Sequence, residues 1–227
     1  MYKLFLPYDV FERHKKVGSM IDSDQTVVDI GGELNHLSQF CSPKKIIVAN
    51  LSSGDIIISE DKLPFKRKSF DVVCAIDVIE HIPKKNRKIF LENLLEIASQ
   101  KVILSFPIGT KRHIAYEKEI QTWLMKKGEK VDYLEEHIKF SLPKKREIET
   151  ALESENSKLT YAGNISINRI LFKINMFDPR VKFFRKIIYS LKKIFNFLTN
   201  GILYLILIDK DYSESVNRAY VIIKTIR

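Results

Sequence analysis

The sequence contains little cysteine, glycine and proline, and each shortage excludes a class of protein. Among 227 residues there are 2 cysteines, 8 glycines and 7 prolines. Collagen-like and disordered chains need far more glycine and proline, and disulfide-rich secreted domains need far more cysteine. Because 45% of the residues are apolar, the chain can instead bury a core, and its length predicts one domain with extensions.

The two cysteines, Cys41 and Cys74, lie in apolar stretches without a second cysteine or a histidine at metal-ligand spacing. The sequence therefore indicates neither a disulfide framework nor a metal site. The N-terminal residues lack the apolar core of roughly 7–15 residues that a signal peptide has. We expect a cytoplasmic protein.

Basic residues outnumber acidic residues by 38 to 28, which gives a net charge of +10. Such a surplus favours contact with polyanions such as nucleic acid or anionic lipid. The basic pairs and triplets are spread along the chain without interleaved aromatic residues, which is typical of solvated faces rather than of a nucleic-acid groove. The sequence therefore does not favour a nucleic-acid partner.

Short apolar runs alternate with amphipathic stretches from Gln25 onward, which predicts a doubly wound α/β sheet. The runs are rich in β-branched residues and suit strands that are buried on both faces. The predicted strands are 26–30, 45–51, 55–59, 71–76, 101–106, 159–167 and 218–226. The spacing of apolar residues predicts helices at 89–97, 117–127 and 142–156.

Segment 181–208 is unusual because it contains no acidic residue. A helix over 182–198 would place its large apolar side chains on one face and its basic side chains elsewhere. The longest uncharged stretch, 194–208, is shorter than the about 20 residues that span a bilayer. Two interpretations stay open: a basic amphipathic helix lying on an anionic membrane, or a helical insertion that packs its apolar face on the domain as a lid or forms a dimer surface.

A candidate ligand-binding turn follows the first strand, in the segment VVDIGGELNHL at 27–37. The strand reaches its end at Asp29, the chain turns through Gly31 and Gly32, and we expect a helix to begin after them. In an open α/β sheet, ligands bind beyond the carboxyl ends of the strands, and glycines there allow close approach to the backbone. Because the GxGxxG pattern is missing, the segment alone leaves open whether this turn binds a nucleotide-like ligand or only ends the strand.

A second segment, LPFKRKSFDVVCAIDVIEHIP at 63–83, follows the first. Together the two resemble the class I S-adenosylmethionine-dependent methyltransferases, in particular the type 11-like methyltransferase-domain group that acts on small molecules, lipids and sugars. The resemblance covers residues 26–107, and EEHIKFSLPKKREIE at 135–149 is similar to a stretch of many bacterial and archaeal members. It implies a Rossmann-like, seven-stranded, mostly parallel sheet with a helical insertion before the last strand, and S-adenosyl-L-methionine as the cofactor.

The resemblance also implies a cofactor site at the ends of the first four strands. Its residues would be Asp29, Gly31 and Gly32 at the methionine part, Asn50 at the ribose hydroxyls, Ser59 and Glu60 beside the adenine, and Asp77 on the methionine side next to the transfer site.

Three residues depart from the pattern of the family. Glu33 and Asn35 stand where the second and third glycines are common, and Asn50 replaces an acidic residue. A carboxylate accepts hydrogen bonds from both ribose hydroxyls, whereas an asparagine offers one acceptor oxygen and a donor amide. These departures motivate an alternative, a non-catalytic methyltransferase-like module that acts by binding or as a scaffold.

Three histidines are candidates for a general base. His81 has the Glu-His position of the family after the fourth strand and is the predicted catalytic residue, with a structural role at the start of the next helix as the alternative. His113 and His137 lie in segments that shape the acceptor pocket in this family, although each by itself is typical of a solvated surface histidine. Transfer from a sulfonium needs chiefly in-line positioning, so a base is not obligatory.

We therefore predict methyl transfer from S-adenosylmethionine to an oxygen or nitrogen of a small-molecule, saccharide or lipid-linked acceptor. The alternatives are the non-catalytic module and a nucleic-acid methyltransferase, which the charge motivates and the missing Asn-Pro-Pro-Tyr-type motif disfavours. No metal is predicted, and peripheral contact with the inner face of the membrane through 181–208 is left open.

The predicted organisation is a single domain over 1–227. It has an N-terminal helical segment at 1–24, a core sheet at 25–167 and 216–227, and a basic amphipathic insertion at 168–215.

Overall fold

A computed structural model describes residues 2–59, 63–153, 156–179 and 181–225. The described strands are β1 (Thr26–Ile30), β2 (Lys45–Asn50), β3 (Ile56–Ile57), β4 (Phe70–Ile76), β5 (Ala98–Pro107), β6 (Asn156–Ala162) and β7 (Arg218–Lys224). They form one sheet in the order β3-β2-β1-β4-β5-β7-β6. All neighbours are parallel except β7, which runs antiparallel to β5 and β6. The predicted doubly wound, mostly parallel sheet is confirmed.

Helices connect and cover these strands. They are α1 (Tyr8–Gly18), α2 (Arg87–Ile97), α3 (Lys111–Lys126), α4 (Asp132–Phe140), α5 (Lys145–Ala151), α6 (Ile165–Asn175) and α7 (Lys182–Leu207). Both faces of the sheet are buried: Val28 and Val73 pack in one apolar cluster with α2, and their neighbours Val27 and Val72 pack in another. Continuous apolar strands are therefore satisfied on both sides.

The strand predicted at 159–167 is wrong at its C-terminal end. β6 ends at Ala162, and α6 begins three residues later at Ile165. Gly163 adopts a left-handed conformation with φ of 80°, and the Asn164 side chain caps the helix by accepting hydrogen bonds from the N–H groups of Ser166 and Ile167. A glycine turn followed by an asparagine cap ends a strand and starts a helix, whatever the β-propensity of the isoleucines that follow.

The helix expected directly after Gly32 is also wrong. Residues 34–36 form a turn, and only a short 3₁₀ helix follows at Leu37–Gln39. Asn35 has a φ of 64°, and a left-handed residue does not continue an α-helix.

Helix α7 packs against the N-terminal residues through polar side chains. The Asn196 Nδ2 donates a hydrogen bond to the carbonyl of Phe5 at 3.1 Å, and the Asn200 Nδ2 donates to the carbonyls of Leu4 and Leu6 at 3.0 and 2.9 Å. Both asparagines are buried. The C-terminal part of α7 also joins an apolar cluster with α1.

Many large apolar side chains of α7 point away from the domain, although Leu207 and its neighbours Phe195, Leu203 and Tyr204 pack on it. Phe183 is 69% exposed, Leu198 61% and Leu205 80%. The interpretation in which this helix packs its apolar face on the domain is therefore wrong for the described part of the chain. None of the described helices has the length and hydropathy to cross a bilayer.

Replacing Asn200 by alanine tests how α7 is held. We expect Asn200→Ala to lower the free energy of unfolding by about 1–3 kcal/mol, because two backbone carbonyls lose their hydrogen-bond donor in a buried place. Ser190→Ala on the same helix is the control, since the Ser190 hydroxyl is exposed and donates only to Lys186. Urea unfolding of both variants measures the difference, and equal stabilities would contradict the packing described for Asn200.

Candidate functional site

The carboxyl ends of three parallel strands meet at one edge of the sheet. Ile30 of β1 pairs with Ala49 of β2 on one side and with Ala75 of β4 on the other. The turns that follow these strands therefore lie side by side, as in other open α/β sheets that bind ligands at this edge. A side chain on Gly31 would meet Val78, since its Cβ would lie 2.5 Å from Val78 Cγ2. Close contact between the turns after β1 and β4 thus requires glycine there.

The carboxyl group of Asp29 lies beneath the first turn. Asp29 is fully buried, and neither carboxyl oxygen has a hydrogen-bond partner among the described residues. A Cβ on Gly32 would lie 2.2 Å from Asp29 Oδ2, so the close approach of the turn to this carboxyl group requires glycine. Burial raises the pKa of Asp29 to about 7.

The side chain of Asn50 holds the same turn from the side of β2. Its Nδ2 donates to the carbonyls of Gly31 and Gly32 at 3.1 and 2.7 Å. The side-chain oxygen takes no part in these two bonds and can accept a hydrogen bond from another group. The backbone N–H groups of Gly32, Glu33 and Leu34 donate to no residue within the described ranges. Consecutive free N–H groups suit a ligand carboxylate, and the asparagine oxygen suits a hydroxyl. These residues therefore fit an amino-acid nucleoside such as the implied cofactor.

Asp77, which follows β4, is already neutralised by two arginines. Its Oδ2 lies 2.8 Å from Arg13 Nη1, and Arg218 donates hydrogen bonds to both of its carboxyl oxygens. Burial alone would raise the pKa of Asp77, but the two guanidinium groups lower it more, so it lies below its usual value. The sequence pattern predicted a role for neither arginine. The position of Arg218 at the start of an apolar strand could have indicated a buried, paired charge.

Two further predicted positions lie after β3. Ser59 follows this strand by two residues and is exposed. Glu60 lies outside the described residues.

Three histidines that are distant in the sequence form one cluster. The rings of His81 and His137 lie 4.9 Å apart, and His113 and His137 both face Glu117, at 3.8 Å and 2.7 Å from its Oε1. His113 is 3% exposed and His137 is 7% exposed. The interpretation of these two residues as solvated surface histidines is therefore wrong, because α3 and α4 pack their histidines inward against each other.

Burial favours the neutral imidazole at two histidines of the cluster, His81 and His113, by lowering the pKa of each. Burial lowers the pKa of His81, although its contact with Glu136 opposes this shift. Burial likewise lowers the pKa of His113, against the opposing charge of Glu117. A neutral imidazole has one nitrogen free to accept a proton or to bind a ligand.

Replacing Asp29 by asparagine tests its buried, unpaired carboxyl. The folded protein keeps this proton up to about pH 7, whereas the unfolded chain releases it near pH 4, so stability falls as the pH rises through this window. We expect Asp29→Asn to remove this loss of stability. Its free energy of unfolding should exceed that of the wild type by roughly 2–4 kcal/mol at pH 8 and differ little from it near pH 4. Urea unfolding across this range measures it.

The exposed Asp24→Asn variant is the control and should follow the wild type. A wild-type stability that does not fall relative to Asp29→Asn would show that Asp29 has a partner in solution.

Comparisons with known proteins find solved structures that share the fold. No family model matches the sequence, and no curated protein is significantly similar to it. A SAM-dependent methyltransferase from Thermotoga maritima, a possible histamine N-methyltransferase, superposes with a TM-score of 0.56 at 12% identity over 98% of this chain and 92% of that one. A SAM-dependent methyltransferase from Archaeoglobus fulgidus gives 0.54 at 12% identity, covering 96% and 94%.

Phosphoethanolamine N-methyltransferase 2 of Haemonchus contortus, solved with phosphomonomethylethanolamine and S-adenosylhomocysteine, has a TM-score of 0.55 at 12% identity over 96% of this chain. This chain spans only 52% of that protein. The agreement extends over nearly the whole described chain, and the strand order is that of the superposed proteins. The protein therefore has the fold of the class I S-adenosylmethionine-dependent methyltransferases.

Proposed function

We propose that this protein transfers a methyl group from S-adenosylmethionine to an oxygen or nitrogen of a small acceptor molecule. The observation that carries this proposal is the turn after β1, where Asn50 holds Gly31 and Gly32 through hydrogen bonds and the buried Asp29 carboxyl group has no described partner. The N–H groups that follow donate to no described residue and remain for a ligand. The superposed proteins from Thermotoga and Haemonchus have names that indicate small nitrogen acceptors, which supports an acceptor of this size.

In this proposal the free N–H groups of Gly32, Glu33 and Leu34 bind the methionine carboxylate, and the Asn50 oxygen accepts a hydrogen bond from the ribose. The bound cofactor supplies an electrophilic methyl group on a sulfonium. The protein's contribution is to align the acceptor with that methyl group and to exclude water, which accounts for much of the rate enhancement of such reactions. Asp77, held by Arg13 and Arg218, fixes the end of β4 rather than offering a free charge.

His81 remains the predicted base. Its Nδ1 lies 2.6 Å from a carboxylate oxygen of Glu136. A carboxylate accepts a hydrogen bond, so the proton belongs on Nδ1 and the lone pair on Nε2. The Nε2 atom would accept the proton of a hydroxyl or ammonium acceptor.

Calorimetric titration with S-adenosylmethionine and S-adenosylhomocysteine tests the cofactor site. We expect binding with a dissociation constant on the order of micromolar for the wild type, and binding at least about tenfold weaker for Asn50→Leu, which loses the two hydrogen bonds to the turn and the acceptor oxygen. Asn93→Leu on α2 is the matched control and should bind as the wild type does. No heat with either ligand, from folded protein free of copurified cofactor, would favour the non-catalytic module instead.

We further propose that the protein works at an anionic membrane surface, which would give it access to a lipid-linked acceptor. The outward face of α7 carries exposed residues that are apolar along the length of the helix: Phe183, Phe184, Ile187, Leu191, Ile194, Leu198, Ile202 and Leu205. Water-exposed apolar surface of this extent marks an interaction site.

Charge distinguishes the occupants of this face. Lys182, Lys186 and Lys193 form no ion pair with any residue in the described ranges, and α7 contains no acid. A second copy of the chain would bring like charges together, whereas anionic headgroups would attract them. Each lysine near such a surface contributes about 1 kcal/mol, and the apolar residues would enter the headgroup boundary.

Sedimentation with phospholipid vesicles tests this contact. We expect binding to vesicles of phosphatidylcholine mixed with phosphatidylglycerol, and at least about tenfold weaker binding for the triple variant Phe183→Ser, Leu198→Ser and Leu205→Ser. The control is Ile89→Ser with Met125→Ser, two exposed apolar residues on α2 and α3.

Equal binding of the triple variant and the wild type would contradict the proposal. So would a wild-type dimer that ignores vesicles and that the triple variant separates into monomers, because the face would then be a dimer surface.

A further inference from the structure

Three potential metal ligands converge next to the end of β4. The ligand atoms of Glu80, His81 and His137 all lie within 4.8 Å of one another. Glu80 and His81 belong to a 3₁₀ helix at Ile79–His81, and His137 lies on α4.

The buried members of this cluster have polar atoms without hydrogen-bond partners among the described residues. Glu80 is 1% exposed, and neither of its carboxyl oxygens has a hydrogen-bond partner among the described residues. The Nε2 atom of the buried His137 is also without a described partner. Burying a carboxylate without a compensating bond is costly, so native proteins rarely leave such groups unpaired. The Glu80 carboxyl group and His137 Nε2 are both without described partners and lie within reach of each other, an arrangement that suits a cation.

Both histidines are oriented by carboxylates on their other nitrogen. Glu136 Oε2 lies 2.6 Å from His81 Nδ1, and Glu117 Oε1 lies 2.7 Å from His137 Nδ1. A metal-binding histidine almost always donates its second N–H to a carboxylate, a carbonyl or water, which fixes the ring and makes the other nitrogen a better ligand. The arrangement leaves the Nε2 atoms of both rings for the gap beside Glu80.

We propose that Glu80, His81 and His137 bind a divalent transition metal, with Zn²⁺ as the best match. Two imidazoles and one carboxylate are a known donor set for Zn²⁺ and Fe²⁺, whereas Mg²⁺ and Ca²⁺ prefer oxygen ligands. Metal–ligand distances of about 2.0–2.2 Å place ligand atoms about 3.4 Å apart in a tetrahedral site. Side-chain rotations that move the ligand atoms by about 1 Å would bring the three residues to these distances. Three protein ligands leave a position open for water or another ligand.

A metal on His81 Nε2 would exclude the role of that atom as a base. The metal-bound protein would then rely on positioning, or on a group bound at the open position, to take up the acceptor proton. The metal site stands on its own contacts and does not depend on cofactor binding.

Metal titration of the full chain tests the site. The protein is stripped with a chelator and titrated with Zn²⁺ in competition with a chromophoric chelator, and bound zinc is counted by elemental analysis. We expect one Zn²⁺ per chain for the wild type and at least a hundredfold weaker binding for Glu80→Gln and for His137→Gln. The control is His36→Gln, a histidine outside the cluster that lies beside Glu33, which should bind as the wild type does.

A second measurement covers variants that fail to fold. Co²⁺ added to the stripped wild type should give the visible absorption of a site with nitrogen and oxygen ligands, and Zn²⁺ should displace it in equal amount. Glu117→Gln, which keeps both ring and ligands, should weaken Zn²⁺ binding about 10- to 100-fold.

Three results would overturn the proposal: no stoichiometric Zn²⁺ on folded wild type, unchanged affinity in folded Glu80→Gln, or a cobalt spectrum typical of thiolate ligation by the cysteines. The first would leave Glu80 as a buried, protonated acid. Titration with S-adenosylmethionine is scored separately, so failure of one site is distinguishable from failure of the other.

Discussion

Parallel pairing of β1 with β2 and β4 is the constraint on which the rest of the site depends. It brings three strand ends to one edge, so that Asn50 and Val78 both lie against Gly31 although the three residues are far apart in the chain. A parallel sheet buries both faces, and its loops therefore meet only at the strand ends. Groups from several segments can therefore converge on a ligand at this edge.

Polar groups buried at this edge fall into two kinds. Asp77 is fully paired between Arg13 and Arg218, and this ion-pair network joins α1, β4 and β7. Asp29 and Glu80 are more deeply buried than Asp77, and their carboxyl oxygens have no partner among the described residues. A paired buried charge helps to hold the segments that it joins. An unpaired buried charge destabilises the fold until it binds a proton or a ligand. Asp77 therefore has a structural role at this edge, whereas Asp29 and Glu80 are available to interact with a ligand.

Helix α7 exposes a largely apolar outward side, although Leu207 and its neighbours also pack inward on α1. Its buried contacts include Asn196 and Asn200, which bond to backbone carbonyls of the N-terminal segment, while its outward residues are mostly apolar. A helix that only covered the domain would turn its apolar face inward. One side of α7 therefore attaches the helix to the domain, partly through polar contacts. The opposite, apolar side is exposed and is available to bind a partner outside the domain.

Local pattern was sufficient for the strands and for the doubly wound class, because β-branched apolar runs suit buried strands wherever they occur. It also indicated the turn at Asp29, Gly31 and Gly32 from one continuous segment. Pattern failed where single residues end elements, as at Gly163 and Asn35, and for His113 and His137, whose burial depends on the packing of α3 against α4. The sequence by itself determined the doubly wound class through its apolar runs, and the seven-stranded sheet through the resemblance of its motifs to a known family. Only tertiary structure decided which charges are paired, which histidines meet and which face of α7 points outward, because each of these requires contacts between segments that are distant in the chain.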